Sequence, residues 1–145
     1  MRELQRSALV PYGATEMYAL VNDVRAYPEF LPWCRSAVVH SETERFMEAS
    51  LELSKGKMSR VFTTRNQLVT GERIEIGLVD GPFRHLEGHW HFDRLDEAAS
   101  EVRLEMRFEF DSFMGGMLFG TMFEDMARSL VDAFSKRARV VYGRR

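Results

Sequence analysis

Cysteine is nearly absent from this chain. Cys34 is the only one, which rules out an intrachain disulfide and fits a reducing compartment. No run of about 18 apolar residues is present, so no segment reads as a membrane-spanning helix. The opening Met1-Arg2-Glu3-Leu4-Gln5-Arg6 lacks the apolar core and small-residue cleavage site of a signal peptide. The expected location is therefore the cytoplasm of a bacterium, with peripheral contact at the inner membrane as the nearest approach to lipid. Neither sign of charge dominates: 20 Lys and Arg against 22 Asp and Glu leave a net charge of −2. That balance excludes the basic footprint of a dedicated nucleic-acid binder, and DNA is not an expected partner. Missing too are a phosphate-binding glycine loop, a credible Ser-His-Asp order and paired carboxylates on an apolar strand face. No catalytic residue and no catalytic cofactor are expected.

What is present describes one globular unit. The 145 residues match the usual size of a single domain, so residues 1–145 are expected to form one. A composition 45% hydrophobic and 29% charged is too apolar for a disordered chain. Nine Met and eleven Phe supply large fillers, and Met in particular repacks around variable apolar shapes.

Periodicity gives the element order. Leu4 to Val10 reads as a first strand, ended by Pro11-Tyr12-Gly13. In Ala14 to Val24, Met17, Leu20, Val21 and Val24 recur at the spacing of an amphipathic helix, with Thr15 or Gly13 as its cap. Pro28 and Pro32 then impose a loop or short helical turn. From Arg35 to Asp111 the pattern is six strands. In the clearest, Val102, Leu104, Met106, Phe108 and Phe110 alternate with Arg103, Glu105, Arg107 and Glu109, which is a half-buried antiparallel strand. Turn residues at Lys55-Gly56-Lys57, Thr70-Gly71-Glu72, Asp80-Gly81-Pro82 and Asp96 to Ser100 make the strands a meander. Gly115-Gly116 reads as a bend before a final helix from about Gly116 to Tyr142, striped by Phe119, Phe123, Met126, Leu130, Phe134 and Val141. After Asp132 there is no acid, while Lys136, Arg137, Arg139, Arg144 and Arg145 follow. These cations either complement the helix dipole or form a tail that touches RNA or anionic headgroups.

Three segments carry a resemblance. They are Tyr27-Pro28-Glu29-Phe30-Leu31-Pro32-Trp33-Cys34, then Gly81-Pro82-Phe83 through Leu86, Trp90 and Phe92, then Phe123, Met126-Ala127, Ala133-Phe134, Arg137-Ala138 and Val141-Tyr142-Gly143. In this order they resemble the family of coenzyme-Q-binding proteins, whose bacterial branch includes ribosome-association toxins, within the START-like, helix-grip, polyketide cyclase and lipid transport superfamily. The resemblance implies an α+β helix-grip fold: a seven-stranded curved antiparallel sheet wrapped around a long C-terminal helix, with two short helices after the first strand. It also implies non-enzymatic binding of ubiquinone or another prenylated quinone or isoprenoid lipid, in support of respiratory electron transfer. For the bacterial branch it implies binding to the 50S ribosomal subunit that blocks formation of the 70S particle.

Alternation, helix spacing and family position together nominate Tyr27, Phe30, Leu31, Trp33, Phe83, Leu86, Trp90, Phe108, Phe110, Phe119 and Phe123 as residues that line or close an apolar cavity. The Tyr27–Trp33 segment either covers one end of the sheet or forms a lid over that cavity. His85, His89 and His91, with Glu87 and Asp93, share one strand face at a spacing that suits a metal ion. The apolar opposite face argues instead that the histidine face is solvated, and no metal is expected. Cys34 has no adjacent base and reads as a packing residue. An enzyme of the wider superfamily would need inward acid–base groups, and Thr64, Asn66, Glu48 and Glu52 are the only candidates.

Overall fold

The computed structural model describes residues 1–111 and 116–145. Its elements are β1 (Arg2–Val10), α1 (Ala14–Asn22), a 3₁₀ turn (Val24–Ala26), α2 (Tyr27–Phe30), β2 (Cys34–Glu42), β3 (Phe46–Lys55), β4 (Met58–Val69), β5 (Arg73–Asp80), β6 (Phe83–Asp96), β7 (Ala99–Phe110) and α3 (Gly116–Tyr142). The strands form one antiparallel sheet in the order β1-β7-β6-β5-β4-β3-β2. Strands β2 to β7 are thus a meander, and β1 is added beside β7. This is the expected helix-grip arrangement: a curved seven-stranded sheet closed around a long helix.

Local chemistry accounts for the element ends. The Glu16 carboxylate accepts a hydrogen bond from the Gly13 N–H at 3.0 Å, which satisfies a free donor at the start of α1. The expected helix to Val24 ends earlier, at Asn22, because Asp23 leaves helical geometry (φ −83°, ψ 69°) and Val24 passes to the 3₁₀ turn. Pro28 sits in the first turn of α2, where its missing N–H costs no helical bond. The bend expected at Gly115 lies outside the described residues, while Gly116 already belongs to α3.

The core is the concave sheet face packed against α3. On β7, Val102, Leu104, Met106 and Phe108 are buried, and β6 adds Leu86, Trp90 and Phe92 through the pairs Leu86↔Phe108, Trp90↔Leu104 and Phe92↔Val102. From α3, Phe119, Phe123, Met126 and Phe134 are buried as the stripe requires. Val141 is not: it is 47% exposed, and Ala138 (0%) ends the buried stripe instead. Val141, seven residues after Phe134, still lies within about 20° of it around the helix, so its exposure belongs to the end of α3, where Tyr142 donates from its hydroxyl to the Glu16 carbonyl at 2.9 Å.

The convex face is ionic. Arg103 donates to Asp93 at 2.7 Å, and Arg107 pairs with Glu3 at 3.0 Å and Glu87 at 3.4 Å. Such exposed pairs contribute roughly 0–1 kcal/mol each. Along α3, Glu124 with Arg128 (3.4 Å) and Asp132 with Lys136 (3.0 Å) form the expected i,i+4 pairs.

Candidate functional site

A curved sheet cannot follow a straight helix along its whole length, and the mismatch leaves an apolar cavity of about 100 Å³ at the middle of the grip. Strands β3 and β4 supply Leu53, Phe62, Thr64 and Asn66, β6 supplies Leu86 and Trp90, and α3 supplies Phe123, Met126, Leu130 and Phe134. Tyr27 of α2 and Trp33 of the following loop complete the wall. The volume falls below the roughly 300–1,000 Å³ of ordinary small-molecule pockets. A long ligand therefore enters only if side chains move.

Trp33 and Met126 stand where such movement matters. Both line the cavity, and both also line an outer groove with Pro32, Lys55, Gly56 and Met122. Trp33 is half-buried, and its carbonyl accepts from the Ser54 N–H at 2.9 Å. That bond ties its loop to the end of β3. One indole and one flexible thioether thus separate interior from surface.

The nominated residues divide into three groups. Tyr27, Trp33, Leu86, Trp90 and Phe123 line the cavity. Phe83, Phe108, Phe110 and Phe119 pack instead into an aromatic cluster at the start of α3, with Phe123 shared between cluster and cavity. Phe83 and Phe123 stand 4.9 Å apart, Phe108 and Phe123 5.1 Å, and Phe110 and Phe119 5.8 Å. Phe30 and Leu31 lie beside the wall. Leu31 is buried, while Phe30 meets Phe134 edge-on at 5.4 Å and carries the Arg137 guanidinium 4.9 Å above its ring. Sequence reading missed Phe62 and Leu53, although the period of two from Thr64 and Leu51 points both inward.

Chemically the cavity is almost inert. Among the described residues, its wall contains no Lys, Arg, His, Asp or Glu. Tyr27 is its one ionisable group; its hydroxyl donates to the Val21 carbonyl, and burial pushes its pKa well above the ordinary phenol value. Of the four inward acid–base candidates, Glu48 and Glu52 face outward, since Met47, Ala49 and Leu53 are the buried residues of β3. Glu52 accepts from Ser59 at 2.6 Å and Ser36 at 3.1 Å, bonds that hold its carboxyl below its usual range. Thr64 and Asn66 do line the cavity.

Elsewhere the histidine face is partly solvated. His85 lies 3.2 Å and His89 3.8 Å from Glu87, and the described residues contain no group of three or more ligands placed to hold a metal ion. Cys34 is buried, and burial pushes its thiol up to about 11, with the Glu52 charge adding to the shift. The basic tail is largely engaged within the chain: Lys136 with Asp132, Arg137 with Phe30 and Glu29, and Arg145 with both Glu16 oxygens at 2.7 and 2.9 Å.

Comparison with known proteins places this architecture. Residues 10–135 match the family model described as polyketide cyclase / dehydrase and lipid transport. The chain is 48% identical over 143 residues, 99% of each chain, to "Ribosome association toxin RatA" of Vibrio cholerae. It is 28% identical over 146 residues to "Coenzyme Q-binding protein COQ10 homolog B, mitochondrial" of Xenopus laevis, covering 98% of this chain and 60% of that one. Among solved structures, the Zhui aromatase/cyclase of a Streptomyces species superposes with a TM-score of 0.82 at 17% identity, covering 96% of this chain and 95% of that one. The fold, the family model and the full-length relative agree, and the chain belongs to the START-like polyketide cyclase/dehydrase and lipid transport family, together with the relatives named as ribosome association toxins.

Proposed function

We propose that this protein is a non-enzymatic carrier or chaperone of a neutral hydrophobic ligand, ubiquinone or another prenylated quinone, acting in the cytoplasm and at the face of the inner membrane in support of respiratory electron transfer. The observation that carries this reading is the wall of the cavity: aliphatic and aromatic side chains, two thioethers, one threonine hydroxyl and one carboxamide, with no carboxylate, amine or imidazole among the described residues. General acid–base catalysis needs a titratable group within hydrogen-bond reach of the reacting atom, and the cavity offers only the phenol of Tyr27, already committed to Val21. The relative named for coenzyme Q binding favours a quinone over other apolar ligands. Solvent extraction of protein purified from its native host, followed by mass spectrometry, tests it. A prenylated quinone near molar stoichiometry is expected; a charged lipid, or no ligand at all, overturns it.

A second reading has its own support. The relative named as a ribosome association toxin is 48% identical over nearly its whole length, which favours docking on the 50S subunit and inhibition of 70S formation. The engagement of Lys136, Arg137 and Arg145 with their own chain leaves few tail cations for rRNA phosphates. Docking is then expected to show a shallow salt dependence. Co-sedimentation with 50S subunits over a range of salt tests this, and no pelleting at low salt rejects it.

A further inference from the structure

Two polar side chains line the otherwise apolar cavity, and one of them has an unpartnered oxygen among the described residues. Thr64 and Asn66 are two residues apart on β4, so both point to the concave face. Asn66 is only 8% exposed, and its Oδ1 is buried with no hydrogen-bond partner. Neighbouring strands do not help: Asn66 pairs across β4 with Met47 and Ile76, and Thr64 with Ala49 and Leu78, whose side chains bear no oxygen or nitrogen. Leaving a buried amide unsatisfied costs free energy that folding has no reason to accept. A sheet stabilised for its own sake would carry Val or Leu at both positions.

The two groups define what fits them. A carboxamide carries donor and acceptor, exchanged by a half-turn about χ2, and a threonine hydroxyl carries both. Together they bind carbonyl, hydroxyl or ether oxygens. No cationic side chain lines the cavity, so a carboxylate or phosphate brought here loses its hydration without a counter-charge. Position adds a direction. Ser54, bonded to Trp33, and Met47, paired with Asn66, lie seven residues apart on β3, up to roughly 20 Å at strand rise. The β3 residue opposite Asn66 is therefore well removed along the strand from the end to which the Trp33 loop is tied.

We infer that the cavity selects a neutral, oxygen-bearing headgroup and holds it on Thr64 and Asn66, with the apolar tail leading out between Trp33 and Met126. This rests on the reading of the cavity as a ligand site. It adds that fatty acids and phospholipid headgroups are rejected, and that ligands enter head first.

The test uses three probes of similar tail on the full chain at pH 7: decylubiquinone, with a neutral oxygenated ring; decylbenzene, with ring and tail but no oxygen; and laurate, an anion. Bound ligand is quantified by solvent extraction after gel filtration. Wild type is expected to bind decylubiquinone and to ignore laurate. Asn66→Leu is expected to weaken decylubiquinone about tenfold, the effect of one hydrogen bond to a buried group, and not to weaken decylbenzene. Thr64→Val, a smaller change on a half-buried residue, repeats the comparison should Asn66→Leu fold poorly. If both variants hold decylubiquinone as tightly as wild type, or laurate binds as well as decylubiquinone, the headgroup assignment is wrong and the ligand site survives. If wild type binds neither decylubiquinone nor decylbenzene, the ligand site itself is wrong and the assignment falls with it.

Discussion

Trp90 of β6 meets Phe134 of α3 edge to face, with ring centroids 5.5 Å apart and planes 87° from parallel. The geometry suits the aromatic quadrupole and ties sheet to helix. Phe134 also meets Tyr27 and Phe30, each at 5.4 Å, so one side chain joins α3, β6 and α2.

Phe134→Ala should therefore cost about 3–5 kcal/mol, the usual range for deleting a buried Phe. Val141→Ala, near the exposed end of the same helix, should stay within about 0.5 kcal/mol of wild type. Urea unfolding of both variants checks the contrast. Similar losses at the two positions would mean that the end of α3 at Val141 is packed rather than exposed.

Trp33→Ala should separate binding from stability. The residue is half-buried and divides cavity from groove, so its removal opens the route while leaving the sheet–helix core in place. Quinone affinity should fall severalfold or more with a midpoint shift of only a few degrees. Equal proportional losses of binding and stability would sink the gating role and leave Trp33 a packing residue.

Asn66→Leu should make the ligand-free protein more stable by about 1 kcal/mol, since it removes a buried unsatisfied amide and adds apolar contact in a cavity. Thermal melting of protein stripped of ligand is the measurement. A clear loss of stability would show that the amide has a structural partner.

Acid should loosen the attachment of the C-terminal segment. The Arg145 hydrogen bonds, helped by the Gly13 N–H, hold the Glu16 carboxyl below its ordinary value, which is about 4.3. A group whose folded pKa is depressed contributes stability that is complete above the unfolded value and is lost as pH falls through the folded one. Glu16→Gln should therefore melt lower than wild type at pH 7, and the gap should close on acidification below about pH 4. The pair is partly exposed, so added salt should also shrink the gap. A gap that grows in acid contradicts the assignment.

Much of the architecture could be read from residue order because each cue was local. Alternation along Val102 to Phe110 fixed a strand and its buried face, and Gly56, Gly71 and Gly81 marked turns that occur with positive φ. The site was harder to read for a geometric reason. A period of two states which face a residue is on, but not whether the helix or the gap lies above it. Phe108 and Leu86 share a face and pair directly, yet Phe108 packs into the aromatic cluster while Leu86 borders the cavity. Register decided the acids: Glu52 looked available until Leu51 and Leu53 proved to be the inward residues of β3. Asn66 was a candidate for the inward face, but an asparagine in a strand pattern becomes informative only once its missing partner is seen.

The pairing of β1 with β7 also sets an order of events in time. Arg2 is opposite Phe108 and Val10 opposite Ser100, so the earliest-made strand has no partner until about a hundred further residues exist. At about 5–20 residues per second, synthesis leaves β1 waiting for roughly 5–20 seconds. During that interval its free edge is open to the β7 of another copy. An exchanged dimer, in which each copy lends its first strand to the other, is the misassembly to which this connectivity is most open.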